Sequence, residues 1–180
     1  MTGILRVPRS RGALSGALLV LLGIWGGLIP FVGPYFHYAY TPNSAWTYTT
    51  GRLWLTVLPA IGTLVGGLML LASALRPVAI LGAWLAVLSG AWFITGSALA
   101  ALWTSGAPAQ GTPAGGTLAR TVEQIGFFTG LGAVVLFLAA VALGRLSVIA
   151  VKDVRVAREE PVPAVVDRDV ASETAQTAQV

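Results

Sequence analysis

The chain of 180 residues contains no cysteine and one histidine, and only 10% of its residues are charged. Without cysteine there is no disulfide, no thiolate metal site and no cysteine nucleophile. The lone His37 cannot form a metal site of several histidines. Phosphate-binding loops, HExxH, GxSxG and carboxylate pairs are also absent, so we expect no cofactor, no metal and no enzymatic activity.

What the chain has in excess is apolar side chains, which make up 56% of its residues. A soluble domain of this size needs more polar residues to cover its surface. The composition therefore excludes an ordinary soluble enzyme and a disordered chain, and it predicts a protein surrounded by lipid.

Four long segments contain no Asp, Glu, Lys or Arg: 40 residues after Arg11, 23 after Arg52, 43 after Arg76 and 21 after Glu123. A membrane-spanning helix needs about 20 apolar residues, and barrel strands would instead alternate in polarity. The spacing predicts an all-α membrane protein. Its four transmembrane helices are expected near residues 13–33, 53–75, 78–103 and 121–148.

The basic residues predict the orientation of these helices. Nine Lys and Arg lie before the first helix, between the second and third, or after the fourth, whereas Arg52 and Arg120 lie on the other side. The positive-inside rule then places both termini in the cytoplasm, an N-in/C-in topology. The net charge of +4 is explained by topology without a nucleic-acid partner. Arginine supplies ten of the eleven basic residues, which suggests a bacterial genome and a multi-pass protein of the cell membrane.

The same features divide the chain into three parts. Residues 1–12 are a basic cytoplasmic segment, residues 13–148 the transmembrane domain, and residues 149–180 a cytoplasmic tail expected to be largely disordered. The first helix is expected to stay uncleaved, because its apolar run is too long for a signal peptide and no A-x-A site follows.

The two halves of the transmembrane domain resemble each other. Offsets of 67 and 68 residues superimpose a Gly-x-Trp motif and an arginine: Gly23 and Trp25 on Gly90 and Trp92, and Arg52 on Arg120. The repeat predicts two tandem helical hairpins of the same orientation, related by an axis along the membrane normal.

Gly23-Ile24-Trp25 followed by Pro30-Phe31, a loop and an apolar helix resembles one unit of the SPW-repeat family of small bacterial membrane proteins. Ser-Pro-Trp itself is absent from both halves, and the second half keeps Gly90-Ala91-Trp92 without a following proline. The resemblance implies duplicated two-helix units, and it implies no biochemical activity.

Small residues recur four positions apart on every predicted helix. Such spacing lets helix backbones approach closely in a membrane. It is explained either by packing within the bundle or by contact with a partner. The glycines assigned to helix packing are Gly23, Gly27, Gly62, Gly66, Gly90, Gly126 and Gly130.

The first outer loop is rich in aromatic residues, which suits either an anchor at the membrane surface or a docking surface for a partner or a lipid headgroup. Arg120 and Glu123 are spaced to pair on one helical face, Arg52 would reach Glu123 if the hairpins pack side by side, and the two arginines are alternatively an anion site. The candidate contact residues are Tyr35, Phe36, His37, Tyr38, Tyr40, Trp46, Arg52, Arg120 and Glu123.

Away from the helix ends, the polar residues of the predicted spans are isolated hydroxyls, and proton relays and ion-coupled transporters need ionisable groups in the membrane. We therefore expect a non-enzymatic integral membrane protein, a structural or accessory subunit that packs with itself or a membrane-protein partner. The first alternative is a small transporter or channel component formed by oligomerisation. The second is a lipid-active enzyme built on Arg52, Arg120, Glu123 and His37.

Overall fold

A computed structural model describes residues 10–38, 40, 44–73, 75–102, 111–113 and 116–147. All of them belong to the compact unit Leu5–Val148. The predictions for residues 1–9, for most of the second outer loop and for the C-terminal tail lie outside the described residues.

Four long helices form the described structure. Helix α1 is Ser10–Val32, α2 is Thr50–Ala72 with a π-helical turn at Leu53–Val57, α3 is Arg76–Ala100, and α4 comprises Thr117–Gln124, the π-helical turn Ile125–Thr129 and Gly130–Ser147. Helix accounts for 86% of the structure, and the described residues include no strand. All four helices are long and apolar enough to cross a membrane, which confirms the predicted all-helical class and the number of candidate spans.

The helices form a closed bundle in which α1 packs on α2, α2 on α3, α3 on α4, and α4 on α1. Many of the side chains that face inward are small, such as Ala83, Ala86 and Ala139, and a few larger ones such as Phe93 and Leu19 fill the space between them. Those that face outward are large and apolar: Leu14, Leu81 and Phe137 are 68%, 63% and 67% exposed. A surface of this kind suits lipid, where apolar side chains need no burial.

Several of the predicted packing glycines lie where two helices meet inside the bundle, whereas a Cβ at Gly130 would meet only Ile125 of its own helix. A Cβ atom at Gly66 would lie 2.5 Å from the Gly82 carbonyl oxygen, and one at Gly90 would lie 2.7 Å from the Leu136 nitrogen. No side chain fits at these distances, so glycine allows the helices to approach this closely. Three further candidates also lie at contacts within the chain: Gly23 against Leu64, Gly27 against Ala60, and Gly62 against Ser89.

Helix α2 is displaced toward the N-terminus relative to its predicted bounds. Its first turn is capped by Thr49, whose Oγ1 accepts a hydrogen bond from the Arg52 nitrogen at 3.2 Å. The helix stops before the predicted Leu75, because the Ser73 hydroxyl accepts from the Leu75 nitrogen at 3.0 Å and so competes with the helical bonds.

Helix α4 begins at Thr117, four residues before its predicted start. Gly116 precedes it in an extended conformation, with φ −68° and ψ 179°. The spacing of Thr121 and Gln124 in the sequence predicts a capping box that starts this helix at Thr121. In the structure Thr121 lies inside the helix, where its hydroxyl donates to the Thr117 carbonyl at 3.3 Å. The capping prediction at Thr121 was therefore wrong.

The sequence also predicts that Pro59 disturbs the second helix. In the structure, this disturbance leaves a backbone carbonyl of α2 free to bond to α3. In the π-helical turn of α2 the Leu58 N–H donates to the Leu53 carbonyl and so bypasses Trp54. The next residue, Pro59, has no N–H to offer. The Trp54 carbonyl instead accepts a hydrogen bond from Trp92 Nε1 of α3 at 2.9 Å.

We predict that Trp92→Phe lowers the free energy of unfolding by about 1–3 kcal/mol, because it leaves the Trp54 carbonyl without a donor in the membrane. The matched control is Trp25→Phe, which removes the repeat-related indole, half exposed on α1. Thermal unfolding in one detergent compares the two variants. Equal losses would show that the Trp92 hydrogen bond contributes nothing beyond ring packing.

Candidate functional site

The described residues between α1 and α2, namely 33–38, 40 and 44–49, form a cap on one end of the bundle. The chain reverses at the short 3₁₀ helix Gly33–Phe36, and the Tyr38 N–H donates to the Gly33 carbonyl at 3.0 Å. The Tyr38 carbonyl occupies the space where a Cβ of residue 33 would lie, so only glycine fits there. This reversal turns the following tyrosines toward α4.

The inward side of the cap is an aromatic cluster. The Tyr38 ring stacks on Phe127 of α4 with centroids 5.0 Å apart. Tyr40 meets Phe127 and Phe128 edge to face, at 5.2 and 5.3 Å. Such geometries are favourable for aromatic pairs beyond the area that they bury. Together with neighbours from the other helices, these rings form a second hydrophobic core at the cap end.

Two polar contacts attach the cap to the second half of the chain. The Tyr38 hydroxyl donates to the Val122 carbonyl at 3.0 Å. This hydroxyl lies against Gly126, where the Cβ of any other residue would overlap it. Tyr40 also forms an isolated antiparallel bridge with Pro113 of the second outer loop. Gly126, predicted as a helix-packing residue, thus accommodates a tyrosine of the cap.

Arg52 fixes the cap to the start of α2. Its side chain is only 5% exposed, and its guanidinium donates to the Thr47 carbonyl at 2.7 Å and to the Tyr40 carbonyl at 3.2 Å. Hydrogen bonds from a charged donor are stronger than those from a neutral donor. Here they fix the Thr47 and Tyr40 carbonyls of the cap to the start of α2. Arg52 therefore acts within the chain, in a position poorly suited to a headgroup.

Glu123 is the other buried charge among the described residues. Its exposed fraction is 0%, and neither carboxyl oxygen has a hydrogen-bond partner. Arg120, predicted to pair with it, carries an exposed side chain and makes no hydrogen bond to either oxygen. A buried carboxyl without a partner is costly and calls for an explanation.

The charge of Glu123 also affects the two tyrosines of the cap, which lie outside the spanning segments. Burial raises the pKa of Tyr38, and the negative charge of Glu123 raises it further. The same causes, in the same order, raise the pKa of Tyr40 to about 12, with a smaller contribution from Tyr38. Both phenols therefore remain protonated, and remain hydrogen-bond donors, at any ordinary pH.

The outward side of the cap presents aromatic rings. Tyr35, Phe36, Trp46 and Tyr48 are 62%, 73%, 65% and 62% exposed, and His37 is exposed beside them. Of the nine predicted contact residues, five are exposed and Tyr38 is half-buried, whereas Tyr40, Arg52 and Glu123 are buried. The predicted contact surface is thereby reduced to Tyr35, Phe36, His37, Trp46 and Arg120.

An apolar groove continues from the cap along α1. It has a volume of about 640 Å³ and is lined by α1 side chains such as Ile24, Trp25 and Leu28, by Phe36 and by Tyr38 with Val122. Phe36 joins the groove to the exposed rings, so the two form one apolar surface. Within the described residues no three His, Asp or Glu side chains gather to hold a metal ion.

The residues that sequence analysis missed are those of the inward cluster. The sequence shows Phe127 and Phe128 only as part of an apolar helix. The signal that their helix face does not contact lipid is that two adjacent aromatic residues follow Glu123 by one turn. Trp92 was read as a repeat marker, and its bond to α2 depends on the proline and the π-helical turn facing it.

No family model, curated protein or solved structure matches the chain. The resemblance to SPW-repeat proteins therefore stays a prediction.

The raised pKa of Tyr40 predicts how stability responds to alkali. Folding raises this pKa from 10.0 to about 12, so the stability linked to the protonated phenol is complete below pH 10 and is lost as the pH rises through about 12. The thermal unfolding midpoint should fall over this range, and Tyr40→Phe should reduce the fall. Tyr35→Phe, which alters an exposed ring, is the control. An equal response of the two variants would contradict the prediction.

Proposed function

We propose that this chain is a non-enzymatic integral membrane protein, a structural or accessory subunit that binds a second copy of itself or a partner membrane protein through the outward side of its cap. One observation carries the proposal: the cap is fixed from inside by Arg52, Tyr38 and Tyr40, while its other aromatic rings remain exposed.

A loop that served only as an anchor in the headgroup region would need aromatic rings but no fixed shape. This loop is bonded at several points, and it holds two non-glycine residues, His37 and Trp46, at positive φ angles of 57° and 58°. Such conformations are costly and persist where the surroundings enforce them, often at functional positions. A preformed surface of Tyr and Trp loses little entropy on binding, which favours a docking role.

The glycine-rich helix faces pack within the chain, and we therefore place the partner contact at the cap. Gly66 and Gly90 are in use between helices of the same chain, so their faces are not available to a partner. Among the described residues, the cap with the apolar groove beside it remains open to a partner. We therefore assign the contact to Phe36, Trp46 and the adjoining face of α1.

The arrangement of the helices in the membrane is part of the proposal. The start of α1 meets the end of α2 at Gly12 and Leu70, and the end of α1 meets the start of α2 at Gly27 and Ala60, as in a hairpin. With the repeat and the distribution of arginines, this supports two tandem hairpins, both termini in the cytoplasm of a bacterium and the cap outside.

The transporter alternative receives less support. A pore formed by several copies would need polar groups that face the permeant species. The hydroxyls of Thr63, Ser89 and Thr95 instead donate to carbonyls of their own helices, at 2.8, 2.8 and 2.9 Å. These three hydroxyls already donate hydrogen bonds within the protein and need no solute as an acceptor.

We predict that the double variant Phe36→Ala and Trp46→Ala loses most of the partner recovered when the tagged protein is purified in mild detergent from native expression levels. The matched control is Phe137→Ala, because Phe137 is as exposed as Phe36 but lies on α4. Mass spectrometry and native electrophoresis identify a second copy or another membrane protein. Recovery of monomer alone from the unaltered chain would overturn the proposal, and an equal loss with Phe137→Ala would move the contact away from the cap.

The predicted topology can be tested by labelling single introduced cysteines, because the chain has no cysteine of its own. A cysteine introduced as Ser105→Cys should react with a membrane-impermeant maleimide on intact cells, whereas Ser172→Cys should react only after the cells are opened. The reverse pattern would invert the proposed orientation, and labelling of both sites on intact cells would show that α4 does not cross the membrane.

A further inference from the structure

The apolar groove beside the cap lies on the contact between α1 and α4, which is the loosest of the four helix contacts in the bundle. Between α2 and α3, Gly66 and Gly82 bring the two backbones together. The repeat offsets of 68 and 67 residues place Val134 and Ser15 at the equivalent positions of α4 and α1. Both of these residues carry a Cβ, so the backbones of α1 and α4 stay farther apart there.

The contact between α2 and α3 has a corresponding but smaller groove. It has a volume of about 360 Å³, and its lining includes Leu88 and Trp92 of α3. The repeat superimposes these two residues on Leu21 and Trp25, which line the larger groove. On the α2–α3 side, Trp92 Nε1 reaches the other helix and donates to the Trp54 carbonyl at 2.9 Å.

A residue of the cap replaces the equivalent hydrogen bond between α1 and α4. The repeat superimposes Trp54 on Val122, so that bond would join Trp25 Nε1 to the Val122 carbonyl. In the structure this carbonyl accepts from the Tyr38 hydroxyl at 3.0 Å. The Trp25 ring is half exposed, and its N–H makes no hydrogen bond to the residues that the structure describes. Because Trp25, Tyr38 and Val122 all line the groove, two donors lie beside one acceptor.

We propose that Tyr38 is a strap that holds the groove open, and that Trp25 closes the groove by donating to the Val122 carbonyl once Tyr38 is withdrawn. The bilayer offers the indole N–H no water, so a protein carbonyl that loses its side-chain donor is its best acceptor. The half-exposed ring changes rotamer without disturbing the core. One donor replaces the other, so the open and closed states contain the same number of hydrogen bonds.

This device makes the groove depend on the position of the cap. Phe36 lines the groove, and its ring is exposed two residues before Tyr38. A contact that moves this segment away from α4 withdraws the strap, and the indole then crosses the groove. The device requires no particular partner, so it stands or falls independently of the proposed function.

The first test is proton–nitrogen NMR of the full-length protein in lipid nanodiscs, with the tryptophan indoles labelled. Trp25→Phe identifies the Trp25 signal by its disappearance. We expect this signal to move downfield and to exchange more slowly with deuterium in Tyr38→Phe, because the indole proton gains an acceptor. Tyr35→Phe removes an exposed hydroxyl of the same cap and is the control, which should leave the signal in place.

A second variant withdraws the strap without altering either donor. A Cβ at residue 126 would overlap the Tyr38 hydroxyl, so Gly126→Ala should displace that hydroxyl and move the Trp25 signal in the same direction. Gly144→Ala is the matched control on α4, because a Cβ there meets nothing within 4 Å.

The third test is a double-mutant cycle of thermal unfolding in one detergent. Tyr38→Phe and Trp25→Phe each leave one of the two donors for the Val122 carbonyl, whereas the double variant leaves neither. We expect the fall in the unfolding midpoint of the double variant to exceed the sum of the two single falls.

Three results would overturn the inference. The first is a Trp25 signal that stays in place in Tyr38→Phe or in a folded Gly126→Ala. The second is an equal movement of that signal in Tyr35→Phe, and the third is an additive cycle. Should Gly126→Ala fail to fold, Tyr38→Phe still decides, because it keeps the ring that stacks on Phe127.

Discussion

A bilayer supplies no hydrogen bonds, so each polar group of the four helices has to find a partner within the protein. The described structure meets this constraint by local means wherever it can. Hydroxyls donate to their own helices, and the Trp92 indole N–H donates to the Trp54 carbonyl, which the π-helical turn and Pro59 deprive of a helical donor. Among the buried side chains of the described residues Glu123 is the exception, and its oxygens stay without hydrogen-bond partners.

The cap follows from the same constraint. An arginine near the end of a spanning helix is expected to extend toward water. Arg52 instead folds under the cap and bonds the carbonyls of Thr47 and Tyr40, which would otherwise lose their solvent. The loop thereby acquires a fixed shape, with Tyr38 and Tyr40 turned to α4 and the remaining rings turned outward. One side of the loop packs on α4, and the other side leaves aromatic rings exposed.

Composition and the spacing of charges predict the four helices, because Lys, Arg and Asp are costly in hydrocarbon and their spacing can be read directly from the sequence. The glycine spacing predicts close packing but cannot say whether the neighbouring helix belongs to the same chain. The burial of Arg52 and Glu123 depends on a loop that folds back onto α4, through residues as distant as Tyr38 and Val122, which are 84 positions apart. Helix ends were shifted by single hydroxyls, as at Thr49 and Ser73, whose capping competes with helical bonds.

The central claim is that hydrocarbon surrounds four helices whose cap end is closed. Hydrogen–deuterium exchange of the protein in lipid nanodiscs tests it most directly. The account predicts slow exchange along all four helices, including the π-helical turns at Leu53–Val57 and Ile125–Thr129, and protection of the Tyr38 amide, which bonds to Gly33. Rapid exchange throughout any one helix would contradict four membrane crossings, and rapid exchange at the Tyr38 amide would contradict a closed cap.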